Sequence, residues 1–246
     1  MTALLPRLLR ACAAMLPLLA AGRVCADPGY YLLVPYDQAG RQTAEFRYWT
    51  VKSRNRPEKT WPELGLAHGV NPRWTTTLFA SWLGRTNRAT RLSTLNWQNT
   101  VLLTQGQWPL DIAWHGQLIH ETEAHDTSVE QGLLLQTEFG FVRVNLNLVF
   151  ERRLDAGAPP TELKLQWQLR RRVAPATHVG LLGFDELGPW QAPRPHARQS
   201  HRLGPMFDTT WRQADDGGIT LQAGWLVGKT YGRSGHMLTL RSAATF

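Results

Sequence analysis

The chain has 246 residues, with 27 lysines and arginines against 19 acids, 43% apolar residues and a formal charge of +8 at pH 7. That length allows one large domain or two small ones. No long apolar run follows residue 26, which excludes a transmembrane helix there. The basic excess comes partly from Arg7, Arg10 and Arg23 in the leading segment and makes no case for nucleic acid.

Residues 1–26 read as a secretory signal: Arg7 and Arg10, then an apolar core over residues 11–21, then Val24-Cys25-Ala26, with cleavage between Ala26 and Asp27. The core is too short to span a bilayer, and Arg23 closes it. Arg23-Val24 is a poor lipobox ahead of Cys25. Cys12 and Cys25 are the only cysteines, so the domain at 27–246 has no disulfide and must be held by its sheet or core. Residues 27–40, with Tyr30, Tyr31 and Tyr36, read as an ordered N-terminal tail.

Twelve strands are predicted from there on. The first, 42–52, turns Phe46 and Tyr48 outward and Glu45 and Arg47 inward. The second, 60–68, has Leu64 and Leu66 outward and Glu63 inward; the third, 73–84, has Trp74, Leu78, Ala80 and Trp82 outward. The fourth, 91–104, carries Asn96, Gln98 and Thr100 inward, and the fifth, 108–121, carries Asp111, His115, Gln117 and Glu121 inward. Strands six to eight fill residues 128–173, where apolar and polar residues alternate almost without error. One face bears Leu133, Val144, Leu146, Leu165 and Trp167; the other bears Glu130, Glu138, Arg143, Glu151, Glu162, Lys164 and Arg170. Strand nine, 178–186, is ambiguous in parity because Leu181, Leu182 and Phe184 do not alternate. Strand ten, 199–212, places Arg202, Asp208 and Arg212 inward, and Pro205 predicts a bulge or a weak edge. Strands eleven, 218–227, and twelve, 236–246, end the chain.

A period of two gives extended chain with two unlike faces. Strands of about 12 residues are roughly twice the usual length. An apolar outer face with a charged inner one suggests an all-β, up-and-down antiparallel transmembrane barrel of about 12 strands. The connections also sort by parity, with the even-numbered ones shorter, as periplasmic turns are in such barrels. The eleven tryptophans would then stand in the two interfacial girdles. The chain ends on Phe246 after the outward Leu238 and Leu240, a pattern like the C-terminal signal that the barrel-assembly machinery reads.

Short segments carry a resemblance: Ala44-Glu45-Phe46, Glu63-Leu64-Gly65-Leu66, Gly69-Val70-Asn71-Pro72-Arg73-Trp74 and Arg202-Leu203-Gly204-Pro205. In these the chain resembles the meta-pathway-of-phenol-degradation family of bacterial outer-membrane barrels. The resemblance implies a small barrel in a Gram-negative outer membrane that passes or binds small organic, including aromatic, solutes. It transfers no catalytic residue.

The residues give no phosphate loop, zinc spacing or nucleophile elbow, and no cofactor is expected. His115 and His120 have opposite parity on one strand, which speaks against a metal site. Ser200 and His201 are adjacent and so face opposite sides, while Ser128 near His125 lacks a third member, so catalysis is not expected. The inward charges are expected to line the lumen, as a paired network or as a selective pore. Basic loop residues such as Arg54, Arg56, Arg194 and Arg198 would meet lipopolysaccharide phosphates or remain solvated. Two alternatives stay open: a membrane-embedded lipid hydrolase or acyltransferase, and a soluble periplasmic β-protein.

Overall fold

The computed structural model describes residues 30–35, 40–85, 88–212, 217–230 and 232–246, with only the backbone of Arg88, Ala89 and Arg212. The expected cleavage at Ala26/Asp27 and the Arg212 side chain lie outside what is described. The strands are β1 (Gln42–Ser53), β2 (Lys59–Asn71), β3 (Trp74–Arg85), β4 (Arg88–Leu102), β5 (Asp111–Glu121) and β6 (Thr127–Phe139). They continue as β7 (Val142–Arg153), β8 (Glu162–Ala174), β9 (Thr177–Pro189), β10 (Ser200–Arg212), β11 (Gly218–Thr230) and β12 (Arg233–Thr245). Each pairs antiparallel with its sequence neighbours, and β1 pairs with β12, so the sheet closes into a barrel with no free edge. Among the described residues no helix is long and apolar enough to cross a membrane.

Alternation fixes which side chain faces where. Glu45, Arg47 and Trp49 are buried on the inner face of β1, while Phe46 between them is exposed. On the outer face Leu64 is 55% exposed, Leu66 68%, Leu78 64% and Trp97 50%. A one-residue slip in register would put these residues inside and the charges outside. At the seam, Thr43 stands opposite Thr245 and Ser53 opposite Gly235.

Several boundaries differ from expectation. β4 stops at Leu102, and residues 103–110 form a long connection on the side of the chain ends. On the other side, β3 runs to Arg85 with β4 starting at Arg88, and β11 runs to Thr230 with β12 starting at Arg233, so these strands run further than their polarity suggested. The sorting of loop lengths by parity is therefore weaker than predicted. Pro205 makes no bulge: Leu203 pairs with Val227 and Met206 with Gly224 in unbroken register, and Pro205 itself stands opposite Leu181. Its ring faces outward, where the closed barrel still gives β10 two neighbours.

Two tryptophans also break the girdle expectation. Trp49 and Trp61 are opposite one another across β1 and β2, lie inside the barrel, and stack with centroids 4.7 Å apart. The reason is the N-terminal tail. Residues 30–35 enter the lumen extended, so successive side chains meet opposite walls. Tyr30 and Leu32 pack with Trp49, Trp61, Leu182, Phe184, Met206, Leu226 and Met237. Tyr31 and Leu33 pack with Leu102, Ala113, Leu134 and Val149. The lumen thus has an apolar waist, and the tail fills it.

Candidate functional site

The tail is held by polar anchors as well as by packing. Thr239 donates its hydroxyl to the Tyr30 carbonyl at 2.8 Å. Asn147 donates to the Leu33 carbonyl at 2.9 Å, and Gln166 Oε1 accepts from the Leu33 amide at 3.4 Å and from Asn147 at 3.0 Å. The Tyr30 hydroxyl donates to Glu186 and accepts from Arg202, which also donates to Glu186 at 2.6 Å. The Arg202 guanidinium lies 3.9 Å over the Tyr30 ring. Buried backbone polar groups need partners, and these side chains supply them where no sheet ladder can.

On the loop side of the tail, the inner wall carries acids at one level on successive strands. Glu130 faces Glu151 across β6–β7, and Glu151 faces Glu162 across β7–β8. Like charges placed opposite repel. Lys164 offsets this by donating to both Glu151 and Glu130, the latter at 3.3 Å, and His115 Nε2 lies 3.2 Å from Glu130. Glu162 pairs with Arg194, which folds back from the β9–β10 connection, so that arginine is not a free outward charge. Ser200 donates to Glu186 at 3.1 Å.

On the side of the chain ends the lumen widens into a cavity of about 880 Å³ whose lining includes residues 32–35. Arg47, Arg143, Arg170 and Arg241 line it together with Arg73 and Arg172, which were not expected in the lumen. Glu45 accepts from Arg47 and from Arg241 Nε at 2.7 Å. Asp208 takes Arg170 at 2.8 Å and His178 Nδ1 at 2.9 Å. Arg47 lies between two rings, 3.5 Å from the centroid of Tyr31 and 3.9 Å from that of Phe79. Gly65 makes room for this arrangement, since a Cβ there would stand 2.1 Å from Phe79 Cε1. Glu63 accepts from Ser81 at 2.8 Å close by.

Among the predicted lining residues, Asp111 and the Glu138–Arg143 pair stand at the rim rather than deep in the lumen. Asp111 accepts from the Gly106 amide at 2.7 Å and ties down the 103–110 connection. Glu138 and Arg143 are an exposed pair. Leu238, Leu240 and Phe246 face outward at the last strand, with Phe246 61% exposed.

Strand nine resolves with Leu182 and Phe184 inward against the tail and Leu181 and Asp185 outward. Asp185 is a group that the sequence reading missed. It accepts from Trp167 Nε1 at 3.1 Å and lies 2.7 Å from His201 Nδ1 on the outer face. His201 Nε2 is already engaged by Gln199 at 2.8 Å, and Ser200 faces the lumen, so this pair has no nucleophile beside it. Ser128 is likewise buried in the inner wall while His125 is exposed in its turn.

No family model matches the sequence, and no curated protein matches it. Solved structures do match. The chain is similar to an outer-membrane channel from Pseudomonas putida F1 at a TM-score of 0.61 and 13% identity, over 90% of this chain and 100% of that one. It is similar to the NanC porin at a TM-score of 0.56 and 8% identity, over 82% and 98% of the two chains. The KdgM porin in complex with disordered oligogalacturonate gives a TM-score of 0.55 at 9% identity, over 83% and 98%. Identities this low establish a shared barrel fold.

Proposed function

We propose that this chain is a Gram-negative outer-membrane barrel that binds and passes a small organic solute and catalyses no reaction. The observation that carries the proposal is the combination of a closed barrel, an apolar outer face and a charged cavity ending on the tail. An exterior bearing Leu66, Leu78 and Leu203 in the open suits hydrocarbon and not water. Both chain ends lie on one side, which in such barrels is periplasmic, so the cavity would open to the periplasm. The similar folds of two porins and an outer-membrane channel support the same reading, as does the resemblance to the phenol-degradation barrels. Passage requires residues 30–35 to move, because they fill the waist.

Bilayer conductance tests this. The native protein is expected to be mostly closed, with rare openings. Tyr30→Gly/Leu32→Gly should conduct steadily while keeping the heat-modifiable gel migration of a folded barrel. Equal, negligible conductance in both proteins would refute passage, and recovery in the soluble fraction would refute the membrane assignment.

A further inference from the structure

We propose that the cavity on the side of the chain ends is a binding site for a small multivalent anion bearing carboxylate or phosphate groups. This deepens the reading of the lumen as the working site and rests on it, yet it is measurable whether or not the barrel conducts.

The first ground is charge. Six arginines line the cavity against two carboxylates, Glu45 and Asp208. Glu45 is shared between Arg47 and Arg241, and Asp208 between Arg170 and His178. Arg143 takes Glu138 at the rim. Among the described residues, that leaves Arg73 and Arg172, both solvent-exposed at the mouth of the cavity, without an acidic partner.

The second ground is unmet hydrogen bonding. Arg47 is 3% exposed, and its Nη1 has no hydrogen-bond partner; Arg170 is half-buried, and its Nε has none either. A buried charged donor left unsatisfied is costly, and both arginines belong to the cavity lining. Arg47 is also pre-positioned, flanked by Tyr31 and Phe79, so little of its freedom remains to be lost on binding.

The third ground is chemical type. Among the described residues that line the cavity, the unsatisfied or unpaired cations are arginines, whose planar fork matches a carboxylate or a phosphate in two parallel hydrogen bonds. Leu32, Val34 and Leu102 add apolar wall beside these arginines. A cavity of about 880 Å³ suits a molecule with several carboxylates or a ring carrying acid groups.

The test uses the full chain folded into nanodiscs of neutral phosphatidylcholine, so that no lipid anion competes. Citrate and inorganic phosphate are titrated by calorimetry, with sorbitol as the uncharged control. Citrate is expected to bind at one site, more tightly than phosphate, with affinity falling as salt rises; sorbitol should give no heat. Arg73→Gln/Arg172→Gln, which removes the two arginines without an acidic partner, should weaken citrate by about tenfold or more. Arg54→Gln/Arg56→Gln on the opposite side should leave it unchanged. Absence of citrate binding, or equal weakening by both variants, overturns the site. Citrate binding to a barrel that never conducts would instead refute passage and leave the site standing.

Discussion

Arg47 stands directly opposite Arg241 across the β1–β12 seam, and Glu45 accepts from both. The closing strand pair therefore sets two like charges face to face on the inner wall and depends on one carboxylate to hold them. Replacing Glu45 with Gln keeps the shape and removes the charge. Breaking a buried ion pair from one side costs about 3–5 kcal/mol. The E45Q barrel should unfold at clearly lower denaturant, read by tryptophan fluorescence, and Arg241→Gln in the same chain should restore part of the loss. An unchanged midpoint would mean that the seam is held by its ladder alone.

Lys164 plays the corresponding part on the loop side, between Glu130 and Glu151, which face each other across β6–β7. Lys164→Met leaves two buried carboxylates in repulsion. We expect a loss of about 3–5 kcal/mol at neutral pH. A Glu151→Gln change added to it should recover most of that loss. Additive losses in the double variant would show that Lys164 stabilises by packing its methylenes and not by its charge.

The parity of most strands is legible in the sequence. On β7, Asn145, Asn147 and Glu151 are buried and Leu146 is exposed, as alternation requires. Reading failed where the inner face is apolar. Leu182 and Phe184 on β9, Leu134 on β6 and Val149 on β7 are inward, and all pack on the tail. A rule that sends apolar residues outward misplaces each of them or leaves the strand ambiguous. The signal was present in Tyr30-Tyr31-Leu32-Leu33, apolar at both parities and outside any strand, which needs two apolar walls. The cavity was half legible. Glu45, Arg47, Arg170 and Asp208 follow from strand parity, but Arg73 sits in a turn and Arg172 near a strand end, where periodicity says little.

The tail is anchored at Tyr30 by a ring in the apolar waist and by a hydroxyl between Glu186 and Arg202. Tyr30→Phe removes only the hydroxyl. The Glu186–Arg202 bond at 2.6 Å stays in place, so the expected loss is about 1–2 kcal/mol. The measurable consequence is faster cleavage of the N-terminal segment by protease in folded protein, with the strand core intact. Protection equal to that of the native protein would show that packing alone retains the tail.

Gly65 is the residue on which the Arg47 arrangement depends. It lies opposite Phe79 across β2–β3, and a methyl group there would meet the ring at 2.1 Å. The clash is with a side chain, so Gly65→Ala should fold, with Phe79 displaced from its place 3.9 Å from the Arg47 guanidinium. Overpacking of this kind costs about 1–3 kcal/mol. Shortening the ring in Gly65→Ala/Phe79→Leu should recover stability, because the leucine leaves room for the new methyl. It should not restore the guanidinium's aromatic flank, so citrate affinity should stay reduced while the unfolding midpoint returns. If affinity and midpoint recovered together, the flank would contribute to folding only, and Arg47 would owe its position to Glu45 and Tyr31.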